Sequence, residues 1–145
     1  MDYETALQIV KEAAVNPKEY TMRNQIKFTF QIGYPSQDVS FEADVIKAAS
    51  KVCGGCTTAT KTGWWMDDGA SHADTFKGTL AREHCFELEL TCEQNKAERA
   101  YDDICAAIAA SALRHDVNTN WVHVSEVVMT GRHFSVEAIN ALVAA

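Results

Sequence analysis

No run of apolar residues in this sequence approaches the ~20 that a bilayer-spanning helix requires. The most apolar stretch, Ile104 to Leu113, is mostly alanine. The opening residues, Met1-Asp2-Tyr3-Glu4, have neither the basic head nor the apolar core of a secretory leader. Basic residues are in the minority, 13 against 20 acidic ones, which gives a formal charge of -7. Tracking nucleic-acid phosphates takes clustered cations, so neither nucleic acid nor membrane is an expected partner. An even set of cysteines to staple a small secreted fold is also missing. The five cysteines are expected as free thiols, and the compartment as a reducing, cytoplasmic one. Motifs that fix a reaction are absent too: there is no HExxH, no GxSxG and no glycine-rich phosphate loop. No cofactor and no metal site is implied.

What remains is an ordinary globular composition, 47% hydrophobic and 23% charged. A single domain, 1–145, is expected, and a chain of this length buries roughly 68–70% of its unfolded surface. Residues 4–14 carry Leu7, Ile9, Val10 and Ala14 at near-helical spacing, and Asn16-Pro17 should stop that helix. Gln25 to Gly33 alternates Ile26, Phe28, Phe30 and Ile32 against Lys27, Thr29 and Gln31, the strongest strand signal in the chain. A loop at Gly33 to Ser36 then leads to a helix from Phe41 to about Val52, with Ser40 as N-cap and Gly54-Gly55 as its end. Cys56 to Trp65 has strand composition, and Met66 to Thr79 reads as a long loop. Glu83 to Cys92 alternates again. A helical stripe follows from about Asn95 to Leu113, then a turn at Asp116 to Asn120, a strand from Trp121 to Met129, and a short helix from Val136 to Val143 that Ser135 could cap.

The order strand, helix, strand, strand, helix, strand predicts an α+β, ferredoxin-like βαββαβ sandwich with extra N- and C-terminal helices. Two cleanly alternating strands predict a mainly antiparallel sheet with helices on one face only. The other face would carry Lys27, Thr29, Gln31, Cys85, Glu87, Glu89, Trp121, His123 and Ser125. A Trp and a Cys on a polar face suggest partial cover by another subunit.

Several constellations have a chemical and a plain reading. Cys53-Gly54-Gly55-Cys56 has CxxC spacing, but it follows a helix, where the dipole disfavours a thiolate, and a second CxxC to complete a zinc site is lacking. A Gly-Gly helix stop flanked by small buried thiols is the favoured reading. The loop Asp67 to Asp74 offers oxygens and His72 to a cation, but not at calcium-loop spacing. His84, His123 and His133 have no nucleophile in a recognisable context. Trp64 and Trp65 should face opposite ways at a strand end, one in the core and one free to stack on a base or hold a cation.

Gly54-Gly55-Cys56-Thr57, then Thr62-Gly63-Trp64-Trp65, a loop, Glu83 and an alternating strand together resemble small PII- or CutA-type proteins. The same pattern distantly resembles phage-encoded S-adenosylmethionine lyases, which yield methylthioadenosine and homoserine lactone. The resemblance spans roughly residues 25–130 and implies a trimer with small ligands between subunits, near the base of the loop joining the second and third strands. It matches Trp65 to an aromatic position where Tyr is usual, and Glu83 to the acidic position opening the third strand. Trp64, Trp65 and Glu83 are thus the candidate ligand-binding residues, and Glu83 the candidate catalytic one. The expected function is an oligomeric small-ligand-binding protein, with an adenosine-containing ligand in view. The alternatives are an S-adenosylmethionine lyase and a phage or mobile-element inhibitor that binds a basic protein partner.

Overall fold

The computed structural model describes residues 2–13, 20–119 and 121–144. Its elements are α1 (Tyr3–Ala13), β1 (Tyr20–Tyr34), α2 (Val39–Cys53), β2 (Thr57–Met66), β3 (Leu80–Glu93), a 3-10 turn (Gln94–Lys96), α3 (Ala97–Arg114), β4 (Val122–Phe134) and α4 (Val136–Ala144). The four strands form one antiparallel sheet in the order β2-β3-β1-β4, the ferredoxin-like arrangement expected from the sequence. Contacts divide the chain into two compact units, 26–127 and 1–25 with 128–145.

In the larger unit the alternation of β1 and β3 sends Phe28, Phe30, Ile32, Phe86, Leu88 and Leu90 to one sheet face, where none is more than 3% exposed. Phe41, Val45 and Ala49 of α2 and Ala97, Ala100, Ile104 and Ile108 of α3 complete that core. Each large side chain buried there contributes about 1.5–3 kcal/mol of transfer free energy. The opposite face keeps its polar residues half-buried and pairs them across strands. Glu87 accepts from Lys61 at 2.8 Å and from Gln31 at 3.0 Å, and Lys27 lies 4.0 Å from Glu89.

Several boundaries differ from the sequence reading, among them the start of β1 at Tyr20 instead of Gln25. Asp38, not Ser40, caps α2: its extended backbone lets the carboxylate accept from Phe41 N–H at 2.9 Å, while Ser40 already lies in the first turn. Gly54 does end α2, in the left-handed conformation (φ 83°) that favours glycine. β1 continues through Gly33 to Tyr34, because Tyr34 extends the core-facing register and is 1% exposed. β3 opens at Leu80 rather than Glu83, since the ladder with β2 runs on to pair Met66 with Leu80. β4 likewise continues past Met129 to Phe134. The Asn16-Pro17 stop and Asn120 lie outside the described residues.

In the smaller unit α1 packs on α4, and Asp2 accepts from Thr5 N–H at 2.8 Å at the start of α1. Gln25 is buried against Gly131, where any Cβ would lie 1.9 Å from the Gln25 Oε1.

Candidate functional site

The register of β2 and β3 decides what the open face carries near the β2–β3 loop. Gly63 faces Glu83 and Trp65 faces Ala81, so Trp65 and Glu83 share the face that the helices leave free. Two glycines make room for them. A Cβ on Gly63 would lie 2.7 Å from Trp65 Nε1, so the indole folds back across its own strand over a bare backbone. A Cβ on Gly33, in β1, would lie 2.6 Å from Glu83 Oε2 and 3.1 Å from Trp65 Nε1. The carboxylate and the indole N–H therefore converge on one point above Gly33.

A groove of about 530 Å³ opens there and crosses the sheet. Trp65 bounds it on the β2 side, Trp121 and His123 on the β4 side, and Glu83 stands between them over Gly33. Its size falls in the range of small-molecule sites, roughly 300–1,000 Å³. Trp65 is 41% exposed and Trp121 76% exposed, so both rings present a face that can stack. One carboxylate between two aromatic rings suits a flat ring system that carries a cation or hydroxyls. The base of the β2–β3 loop forms the groove's rim. Asp67 N–H donates to Thr79 O at 3.0 Å, Asp67 Oδ1 accepts from Thr79 N–H at 3.0 Å, and Asp68 Oδ2 accepts from Lys77 N–H at 2.9 Å. Those two carboxylates brace their own loop.

The structure does not bring Trp64 to this site. Trp64 pairs with Arg82 on the helix side of the hairpin, with the guanidinium 5.8 Å from the ring centroid. The expectation that one of the two Trp is core fails, since Trp64 is 60% exposed. At this end of the hairpin its cross-strand neighbour is an arginine instead of a packed apolar side chain.

A second constellation was missed in the sequence. Tyr34, Glu42 and His84 meet on the helix side, in the interior. Tyr34 O–H donates to Glu42 Oε2 in a short hydrogen bond, His84 Nε2 lies 2.9 Å from the same oxygen, and Gln37 donates to Glu42 Oε1 at 3.3 Å. Glu42 is 7% exposed. The Tyr34 and His84 rings stand edge to face at 5.0 Å. Burial, and then the Glu42 acceptor, hold the Tyr34 hydroxyl well above the ordinary tyrosine range. A signal for this group was present: His84 occupies the core-facing register of Phe86, and Glu42 sits between Phe41 and Val45 on the buried stripe of α2.

The cysteines are free thiols. Burial first, and then the neighbouring Cys92, pushes the Cys53 thiol up to about 11, away from thiolate chemistry. Ser50 Oγ and Cys56 Sγ are 3.6 Å apart. Among the described residues no group of three or more His, Cys, Asp or Glu side chains could hold a metal ion, and no helix is long and apolar enough to cross a membrane.

No protein-family model matches the sequence, and no curated protein matches it. Among solved structures the chain is similar to the periplasmic divalent cation tolerance protein CutA from Archaeoglobus fulgidus, at 10% identity, with 71% of this chain and 83% of that one covered and a TM-score of 0.44. It is similar also to GlnK from B. subtilis, at 11% identity, with 74% and 96% covered and a TM-score of 0.40. A phage SAM lyase in its apo state matches at 11% identity, with 78% and 91% covered and a TM-score of 0.44. These are the groups that the sequence pattern resembles. At such identities the likeness concerns the course of the backbone, and no residue's role is taken from it.

Proposed function

We propose that this protein is an oligomeric small-ligand-binding protein of the cytoplasm whose ligand lies in the groove between Trp65 and Trp121, with Glu83 as its polar anchor. The observation that carries this reading is the convergence of the Trp65 indole and the Glu83 carboxylate over the bare backbone of Gly33. An adenosine-containing ligand fits the chemistry: an indole stacks on the base, while a carboxylate accepts from ribose hydroxyls or attracts a cationic centre. A second chain, in a trimer or another closed assembly, would cover the open face, where Trp121 and Val127 are 76% and 53% exposed.

Titration with adenosine, ATP and S-adenosylmethionine, followed by tryptophan fluorescence and thermal melting, tests this. A ligand at 100 times its dissociation constant raises stability by ~2.7 kcal/mol. Trp65→Ala and Glu83→Gln should each weaken binding at least tenfold without lowering the melting temperature of the free protein. If none of the three compounds shifts the melt, or if both variants bind as well as the parent, the proposal fails. The S-adenosylmethionine arm also decides on turnover: chromatography either shows methylthioadenosine, with Glu83 as the residue lining the reacting group, or shows the compound intact and the protein a binder.

A further inference from the structure

The β2–β3 hairpin has a second, smaller hollow on its helix side. It measures about 440 Å³ and is lined by Thr60, Thr62, Arg82 and His84 among others. The register explains why these four meet. Thr62 is directly opposite His84, Thr60 opposite Phe86, and Arg82 lies two residues before His84 on the same strand face. Side chains directly opposite across a ladder have Cβ atoms about 4.5–5.5 Å apart, and same-face neighbours along a strand are about 7 Å apart. Two hydroxyls and two nitrogen groups thus surround one space a few ångströms wide.

His84 is fixed from beneath. Its Nε2 lies 2.9 Å from Glu42 Oε2. Nδ1 makes no hydrogen bond to any described residue, and the ring lines the hollow. A carboxylate that holds one imidazole nitrogen orients the ring and leaves the other nitrogen to serve a ligand. Arg82 has no carboxylate partner among the described residues and rests only on the Trp64 ring. In a chain with a net charge of -7, an arginine beside a hydroxyl-lined hollow stands out as an anion anchor.

We propose that this hollow binds a phosphate group, with the Arg82 guanidinium as its charged donor and the His84 ring and the Thr60 and Thr62 hydroxyls beside it. Four donors from two strands suit a tetrahedral oxyanion better than a planar carboxylate, which offers only two oxygens. The volume leaves room for the organic part of a phosphate monoester. Lys61, engaged with Glu87, and Glu83 also border the hollow. Its four donors lie on the face opposite Trp65, and the hollow shares only Pro35 and Glu83 with the groove proposed above.

Calorimetric titration with inorganic phosphate at pH 7 tests it. A saturable heat is expected, together with a shift of the His84 ring signals in a proton–nitrogen spectrum. Acetate should bind at least tenfold more weakly. Arg82→Gln, at an exposed position that leaves the core untouched, should weaken phosphate at least tenfold. His84→Gln, which can still donate to Glu42, should weaken phosphate as well. Trp65→Ala should leave phosphate binding as it is, which separates this site from the adenosine groove. No heat with phosphate up to tens of millimolar, or binding that survives both Arg82→Gln and His84→Gln, overturns the proposal. His84 ring signals that stay in place at saturating phosphate overturn the role of His84.

Discussion

The two faces of the β2–β3 hairpin exchange character along its length. Around Phe86 and Leu88 the helix side is dry and apolar, and the open side carries Glu87 and Glu89 with their lysine partners. Two to four residues nearer the loop the order inverts. There the helix side holds His84, Thr62 and Arg82 over Glu42, and the open side holds Trp65, with the glycines that seat it. Burial explains the first half and fails to explain the second. An exposed indole and an interior carboxylate each forgo stability that the reverse placement would supply, so the inverted end is where ligand chemistry is to be sought.

The largest effect should come from comparing the two carboxylates of that end. Glu42 serves Tyr34, Gln37 and His84 from the interior, so Glu42→Ala strands three polar groups. A loss of about 2–4 kcal/mol is expected. Glu83 has no hydrogen-bond or ion-pair partner among the described residues, and Glu83→Ala should stay within about 0.5 kcal/mol. Urea unfolding of both variants measures the contrast. Equal losses would mean that Glu83 is structural and that the contrast between the faces is not functional.

A pH effect of intermediate size belongs to Tyr34. In the unfolded chain its hydroxyl ionises near 10, whereas the folded state holds it neutral well beyond that. The stability tied to the neutral form is therefore complete below pH 10 and is lost as pH rises above it. The slope is about 1.4 kcal/mol per pH unit for one proton. Tyr34→Phe begins less stable at pH 8, having lost the bond to Glu42, but its alkaline decline should be shallower by that slope. Groups common to both proteins cancel in the difference. Parallel alkaline curves would show that Tyr34 ionises in the folded protein as freely as in the unfolded one.

The middle of the sheet was legible in the sequence because one force dominates there. Alternation at Phe28, Phe30 and Ile32, and again at Phe86, Leu88 and Leu90, records which face is dry, and the strand order follows from the elements between. Where that force weakens, the reading lost the boundaries. Leu80 to Arg82 are strand through backbone pairing with Trp64 to Met66, which leaves no periodic trace when neither face is buried. Trp64, Trp65 and Glu83 were named from the resemblance to PII- and CutA-type proteins, and the ladder between β2 and β3 puts Trp65 and Glu83 on one face and Trp64 on the other. The Tyr34–Glu42–His84 group was not, because each member lies on a different element and only the folded chain adds them together. Asp38 lost the N-cap to Ser40 in the reading for a smaller reason, a shift of two residues between equally good capping types.

The smallest change in stability should accompany the sharpest change at the groove. Gly63→Ala adds a methyl 2.7 Å from Trp65 Nε1, a contact that cannot persist. Trp65 is 41% exposed, so its ring can swing toward solvent instead of forcing the strand apart. The strand itself gains from the exchange, since glycine weakens a strand interior. Net stability should therefore change by no more than about 0.5 kcal/mol. The indole N–H of Trp65, one of three such signals in a nitrogen-correlated spectrum, should move, while those of Trp64 and Trp121 hold. Adenosine-type ligands should then lose at least tenfold in affinity, and phosphate should lose nothing. A Trp65 signal that stays in place would mean that the ring does not lie over Gly63, and the open-face groove would lose its β2 wall.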